Sequence, residues 1–116
     1  MSSEHNCLFC KIVRGEIPCA KVYEDDDVLA FKDIKPIAPV HVLVIPKKHV
    51  ADGALGIVAE NSIYVAKVFE AIAKIAAGLG LNDGFRVVSN YGESAGQTVS
   101  HIHFHIISGR QLRAMA

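Results

Sequence analysis

The sequence predicts an α+β fold, a sheet of about five mostly antiparallel strands with one long and one short helix. Three observations predict it. Val and Ile together number 25 against 7 Leu, a bias toward strands. Only one segment carries a sustained helical period. Strands and helices do not alternate along the chain, which excludes a doubly wound parallel sheet. With 116 residues, 51% of them hydrophobic, the chain is expected to form a single domain over residues 1–116 and is too apolar for intrinsic disorder.

The elements follow in order. Cys7 to Glu16 reads as a short helix that Gly15 stops. Ala20 to Glu24 and Val28 to Phe31 read as a hairpin turned by Asp25-Asp26-Asp27. Lys35-Pro36-Ile37-Ala38-Pro39 is a stiff connector, because its prolines oppose both helix and ladder. Val40 to Ile45 is almost continuously apolar, the pattern of a strand covered on both faces. Val65, Val68, Phe69, Ile72, Ile75, Ala76 and Leu79 form one stripe at helical spacing. Asn61 or Ser62 is the expected cap of that helix, and Gly78 and Gly80 mark its end. Phe85 to Tyr91 is a further strand, Gly92 to Gln97 a loop, and Val99 to Ser108 the last strand.

Lys plus Arg and Asp plus Glu are both 12, so the formal charge is zero. That balance argues against binding nucleic acid or an anionic membrane through broad phosphate contact. Met1 to Cys7 lacks the order of a signal peptide, and apolar runs such as Val42 to Pro46 are too short to cross a bilayer. The expected location is the cytoplasm.

Half of the six histidines fall within five residues, in His101-Ile102-His103-Phe104-His105. On a strand these three would line one face at roughly 7 Å intervals, while Ile102, Phe104 and Ile106 anchor the other. Such a face can ligate a metal, or it can supply a nucleophile or general acid–base with neighbours that orient it. The loop before it, with two glycines and several hydroxyls, can present backbone N–H groups to an oxyanion. That juxtaposition points to phosphate held beside an imidazole.

Cys7-x-x-Cys10 is the second constellation. A redox role of the thioredoxin kind needs a strand before the first cysteine, and none precedes Cys7. As half of a four-coordinate zinc site the pair needs two more ligands, with His49, His101, Cys19 and His5 available.

The run His101-x-His103-x-His105, followed by two apolar residues, resembles the signature of the histidine triad superfamily. Phe31 to Ile34, Ala38 to His49 and Gly96-Gln97-Thr98 are similar to its nucleotide-binding (Hint) branch in the zinc-bearing CxxC form. Gly109-Arg110-Gln111-Leu112 continues the likeness. The resemblance implies the HIT-like fold, a two-fold homodimer, and hydrolysis of purine nucleoside 5′-phosphoramidates to a nucleoside monophosphate. Related alternatives are a dinucleoside polyphosphate hydrolase, a nucleotidyl transferase, or a nucleotide sensor without catalysis.

By the same resemblance His103 would be the nucleophile, oriented with help from His41. His105 and the backbone of Gly96, Gln97 and Thr98 would hold phosphate oxygens, with Asn90 reaching the same region. The Thr98 hydroxyl would lie near the leaving group. Asp33 would accept from the ribose hydroxyls and Ile34 would pack on the base. Structural Zn2+ would be held by Cys7, Cys10, His49 and His101, leaving Cys19 an idle thiol and His5 a tail residue.

Overall fold

A computed structural model describes residues 6–114. The elements are α1 (Leu8–Val13), β1 (Lys21–Glu24), β2 (Val28–Lys32), β3 (Val40–Pro46), α2 (Ser62–Gly78), β4 (Arg86–Val88) and β5 (Phe104–Ser108). The five strands make one sheet in the order β1-β2-β3-β5-β4, every neighbouring pair antiparallel. Two single 3-10 turns, Ala54–Gly56 and Glu93–Ala95, interrupt the connections.

Both faces of the central strands are covered, which explains the unbroken apolar runs in β2 and β3. Val28 and Ala30 of β2, Val42 and Val44 of β3, and Phe104 and Ile106 of β5 face α2, whose Val68, Ala71, Ile72 and Ile75 complete that core. The alternate residues Leu29, Phe31, Leu43 and Ile45 pack with Cys7, Phe9 and Cys10 around α1. The period of two therefore divides β2 and β3 between two cores, one on either side of the sheet.

The β1–β2 turn is an Asx turn in which Asp25 Oδ1 accepts the N–H groups of Asp27 and Val28, both at 2.8 Å. Helix α1 ends where expected, with Gly15 at φ 80° and its N–H donating to the Ile12 carbonyl.

Several expectations need correction. The stripe assigned to α2 is too wide, because Phe69 and Leu79 are nearly half exposed while Ala71 is buried. Asn61 sits at the cap position of α2, and its carbonyl accepts the Tyr64 N–H, but its side chain does not bond the first turn. Its carboxamide instead accepts from Val58 N–H and donates to the Gly56 carbonyl, closing the loop before the helix. The strand expected over Phe85 to Tyr91 is only Arg86–Val88. The last strand begins at Phe104, not Val99, because Ile102 N–H donates to the Ala51 carbonyl in a loop rather than to a ladder partner. His101 and His103 thus precede β5, although the alternation of sides persists through them. His5 lies outside the described residues. Among those described, no helix is long and apolar enough to cross a membrane.

Candidate functional site

The site lies on the α1 side of the sheet, across the ends of β2, β3 and β5. The β3–β5 register pairs Leu43 with His105 and His41 with Ile107, so His41 and His105 are diagonal neighbours on one face. Their rings meet with His41 Nε2 2.9 Å from His105 Nδ1. Asp33 follows β2 and faces His41, its N–H donating to the His41 carbonyl and its Oδ2 lying 3.4 Å from His41 Nε2. His103 comes next, with its ring centroid 5.3 Å from that of His105.

Backbone partners fix where the protons sit on these rings, since a peptide N–H only donates and a carbonyl only accepts. His41 Nδ1 receives the Ile37 N–H at 3.1 Å, so in the neutral ring the proton is on Nε2 and points at His105. His105 Nδ1 then accepts, and its own proton is left on Nε2. His103 Nδ1 lies 2.7 Å from the His101 carbonyl and must donate to it. The Nε2 of His103 is therefore an unprotonated lone pair.

Burial reinforces this neutral state. It pushes His103 below the ordinary imidazole range, against the opposing effect of its bond to His101. It lowers His105 to about 4, with further contributions from the neighbouring His103 and His41. Helix α1 supplies the wall: Phe9 sets its ring edge-on to Phe31, His101 and His103 at 5.6, 5.8 and 5.0 Å.

Immediately beside this row, Cys7, Cys10, His49 and His101 bring four ligand atoms within 4.8 Å of one another. His101 Nδ1 is 3.3 Å from Cys7 Sγ and 3.6 Å from Cys10 Sγ, and His49 Nδ1 is 3.4 Å from Cys10 Sγ. These are the separations of adjacent ligands on a four-coordinate ion roughly 2.0–2.3 Å from each. The outer nitrogens make the fit specific. His101 Nε2 donates to the Pro46 carbonyl at 2.8 Å and His49 Nε2 to Asp52 Oδ1 at 3.0 Å, which leaves both Nδ1 lone pairs facing the thiols. The residues present can hold a metal.

Asp33, His41 and His105 are also close enough together to hold an ion. Their proton arrangement differs, however: the Ile37 N–H forces the His41 proton into the cluster. That set is a hydrogen-bond relay.

The loop after β4 completes the surroundings. Gly92 and Gly96 have φ of 86° and 88°, which glycine adopts without strain. The N–H groups of Gly96 and Gln97 donate within the turn, to Glu93 and Gly92. Of the three N–H groups that resemblance gives to phosphate, only that of Thr98 has no partner among the described residues. The Gln97 side chain braces the loop, accepting from Gly92 N–H and donating to the carbonyls of Asp52 and Val99. Thr98 is exposed, Asn90 is half-buried just beyond β4, and no bond joins either to the histidines. Ile34 is 94% exposed at the rim. Cys19 is a free thiol outside the cluster.

Sequence reasoning missed Phe9, Asp52 and the backbone of Ile37 and Pro46. Asp52 had a weak signal, standing three residues after His49. The two backbone partners had none.

The fold and site define an antiparallel α+β protein with a row of hydrogen-bonded histidines beside a Cys2His2 cluster. The chain belongs to the HIT domain family, whose sequence model matches residues 14–112. It is 48% identical over 105 residues to an uncharacterized HIT-like protein of Synechococcus elongatus, covering 90% of this chain and 91% of that one. The crystal structure of a HIT family hydrolase from Legionella pneumophila superposes with a TM-score of 0.89 at 46% identity, covering 93% of this chain and 96% of the other. A histidine triad nucleotide-binding protein from Candida albicans gives 0.79 at 35% identity, over 96% of this chain and 85% of its own.

Proposed function

We propose that the chain is a hydrolase that cleaves purine nucleoside 5′-phosphoramidates to a nucleoside monophosphate and an amine, through a nucleotide covalently held on His103. The observation that carries this reading is the His103 Nδ1–H bond to the His101 carbonyl, which leaves Nε2 free to attack. The likeness to a HIT family hydrolase and to a histidine triad nucleotide-binding protein supports both the reaction class and the ligand.

In the first step Nε2 of His103 attacks the α-phosphorus and the P–N bond to the amine breaks. The departing amine takes a proton relayed from water through the Thr98 hydroxyl. In the second step the hydroxide left by that water attacks phosphorus, the bond to His103 breaks with its electron pair returning to Nε2, and the monophosphate leaves. Splitting one displacement into two lowers each barrier. His105 Nε2–H and the Thr98 N–H hold the phosphate oxygens as their charge grows, while Gly96 and Gln97 build the turn that presents Thr98. Asn90 reaches the same oxygens. His41 keeps His105 in the donating tautomer. Asp33 accepts from the ribose, and the exposed Ile34 packs on the base.

Cys7, Cys10, His49 and His101 hold zinc in this reading, because two thiolates and two imidazoles suit that ion. When bound, it ties α1 to the segment before β5. Two chains pair as a two-fold dimer through the β4 edge and the exposed Phe69 side of α2. A thiol-bearing metal centre fits the reducing cytoplasm.

A rapid-quench intact mass spectrum with adenosine 5′-phosphoramidate tests the reaction. A one-nucleotide adduct on the wild type, absent from His103→Ala, together with released AMP, is expected. AMP binding with neither adduct nor release would overturn the phosphoramidase reading in favour of another leaving group or a sensor.

A further inference from the structure

The peptide of Ile37 is bonded on both sides. Its N–H donates to His41 Nδ1 at 3.1 Å, and its carbonyl accepts from the Arg110 guanidinium at 3.3 Å. Arg110 also donates to the Gln111 carbonyl at 3.2 Å, which holds its side chain along the chain that leaves β5. The residue before it, Gly109, lies flat against the same connector. A Cβ on Gly109 would stand 2.8 Å from Pro39 Cβ and 3.2 Å from Val40 N, and its φ is 96°. Two adjacent residues after β5 thus grip the connector at Ile37 and at Pro39, on either side of buried Ala38.

We propose that Gly109 and Arg110 are positioning residues that latch the Ile37 N–H onto His41 Nδ1. They thereby choose which His41 nitrogen carries the proton. The connector is otherwise exposed at Ile34, Lys35, Pro36 and Ile37, so Ile37 needs an anchor from outside its own segment. If the N–H swings away, Nδ1 loses its donor, and only the weaker pull of Asp33 Oδ2, 3.4 Å from Nε2, still favours a proton there, so the tautomer ratio falls. With the proton on Nδ1, His41 no longer donates to His105, and the His105 tautomer is released in turn. Arg110 touches neither ring and acts through the backbone alone.

The functional part of this proposal rests on the place given above to His41 and His105. Its primary test does not, because it is made on the resting protein. Ring-nitrogen correlation spectra of the full-length chain near neutral pH are expected to show His41 with bare Nδ1 and protonated Nε2 in the wild type. Arg110→Ala is expected to shift the His41 tautomer ratio several-fold. Arg110→Lys, which can still donate to the Ile37 carbonyl, is expected to restore much of it. Gly109→Ala approaches the same end by pushing on Pro39. Unchanged His41 ring nitrogens in Arg110→Ala would overturn the latch.

On adenosine 5′-phosphoramidate, Arg110→Ala should lower kcat by roughly 3- to 10-fold and leave KM within about twofold. A changed tautomer with unchanged kcat would uphold the latch and count against the role of His41 in the reaction.

Discussion

His41 and His105 stand diagonally across β3 and β5 with their facing nitrogens 2.9 Å apart, and the Ile37 N–H decides the direction of the bond between them. A pair of imidazoles has no inherent donor and acceptor. Here the Ile37 peptide breaks that symmetry, with Asp33 Oδ2 3.4 Å from Nε2 favouring the same direction, and the His105 tautomer follows from it.

Burial of His105 gives stability a pH dependence of known sign. His105 is lowered from the ordinary 6.5 to about 4, so the unfolded chain binds more protons than the folded one between those values. Its contribution is fully present above pH 6.5 and is lost as pH falls toward about 4. His105→Asn keeps an acceptor for His41 without titrating. Chemical denaturation across that window should show a shallower loss of stability in the variant, the difference approaching about one proton.

Metal removal is expected to act on folding. The wild type should carry about one zinc per chain and Cys10→Ser close to none. With its remaining thiol and imidazoles still buried but without an ion, the variant should lose on the order of several kcal/mol. Elemental analysis paired with thermal melting checks both parts.

Phe9 of α1 sets its ring against both His101 and His103. It is buried, so Phe9→Ala opens a cavity and should cost about 3–5 kcal/mol. Phe9→Leu refills much of the volume without the flat ring edge. It should fold well yet turn over more slowly, which a comparison of urea midpoints with initial rates would show.

Gln97 offers a test of polarity at constant shape. Its amide nitrogen donates to the carbonyls of Asp52 and Val99, while its oxygen accepts from Gly92 N–H. Gln97→Glu keeps the acceptor but sets an oxygen against two carbonyls. It should destabilise at least as much as Gln97→Ala, by about 1–3 kcal/mol. Urea denaturation of the two variants distinguishes this from a purely steric brace, for which glutamate would be the milder change.

Much of the architecture was legible because it depends on periodicity. The apolar runs of Val28 to Phe31 and Val40 to Ile45 required cover on both faces, and they have it. The alternation of His101, His103 and His105 correctly separated them from Ile102, Phe104 and Ile106. Periodicity does not say where a ladder ends. The strand assignment over Val99 to His103 failed because Ile102 bonds to Ala51, a partner remote in sequence. Phe69 and Leu79 were misjudged because helical spacing marks a stripe without marking its width.

The clustering of Cys7 and Cys10 with His49 and His101 matches the ligand set implied by resemblance. What no pattern carries is the proton arrangement. It is set by the peptide groups of Ile37, Pro46 and His101, and every residue type except proline offers both an N–H and a carbonyl.

That last point bears on how such a site can change. His101 joins two networks through separate atoms: its ring meets the thiols, and its carbonyl holds the proton of His103. The carbonyl would remain whatever side chain stood there. The four cluster side chains can accordingly be exchanged for ordinary packing residues while His103 keeps its Nε2 lone pair, provided the main chain holds its course. The Cys2His2 cluster and the proton on His103 are separable in this architecture.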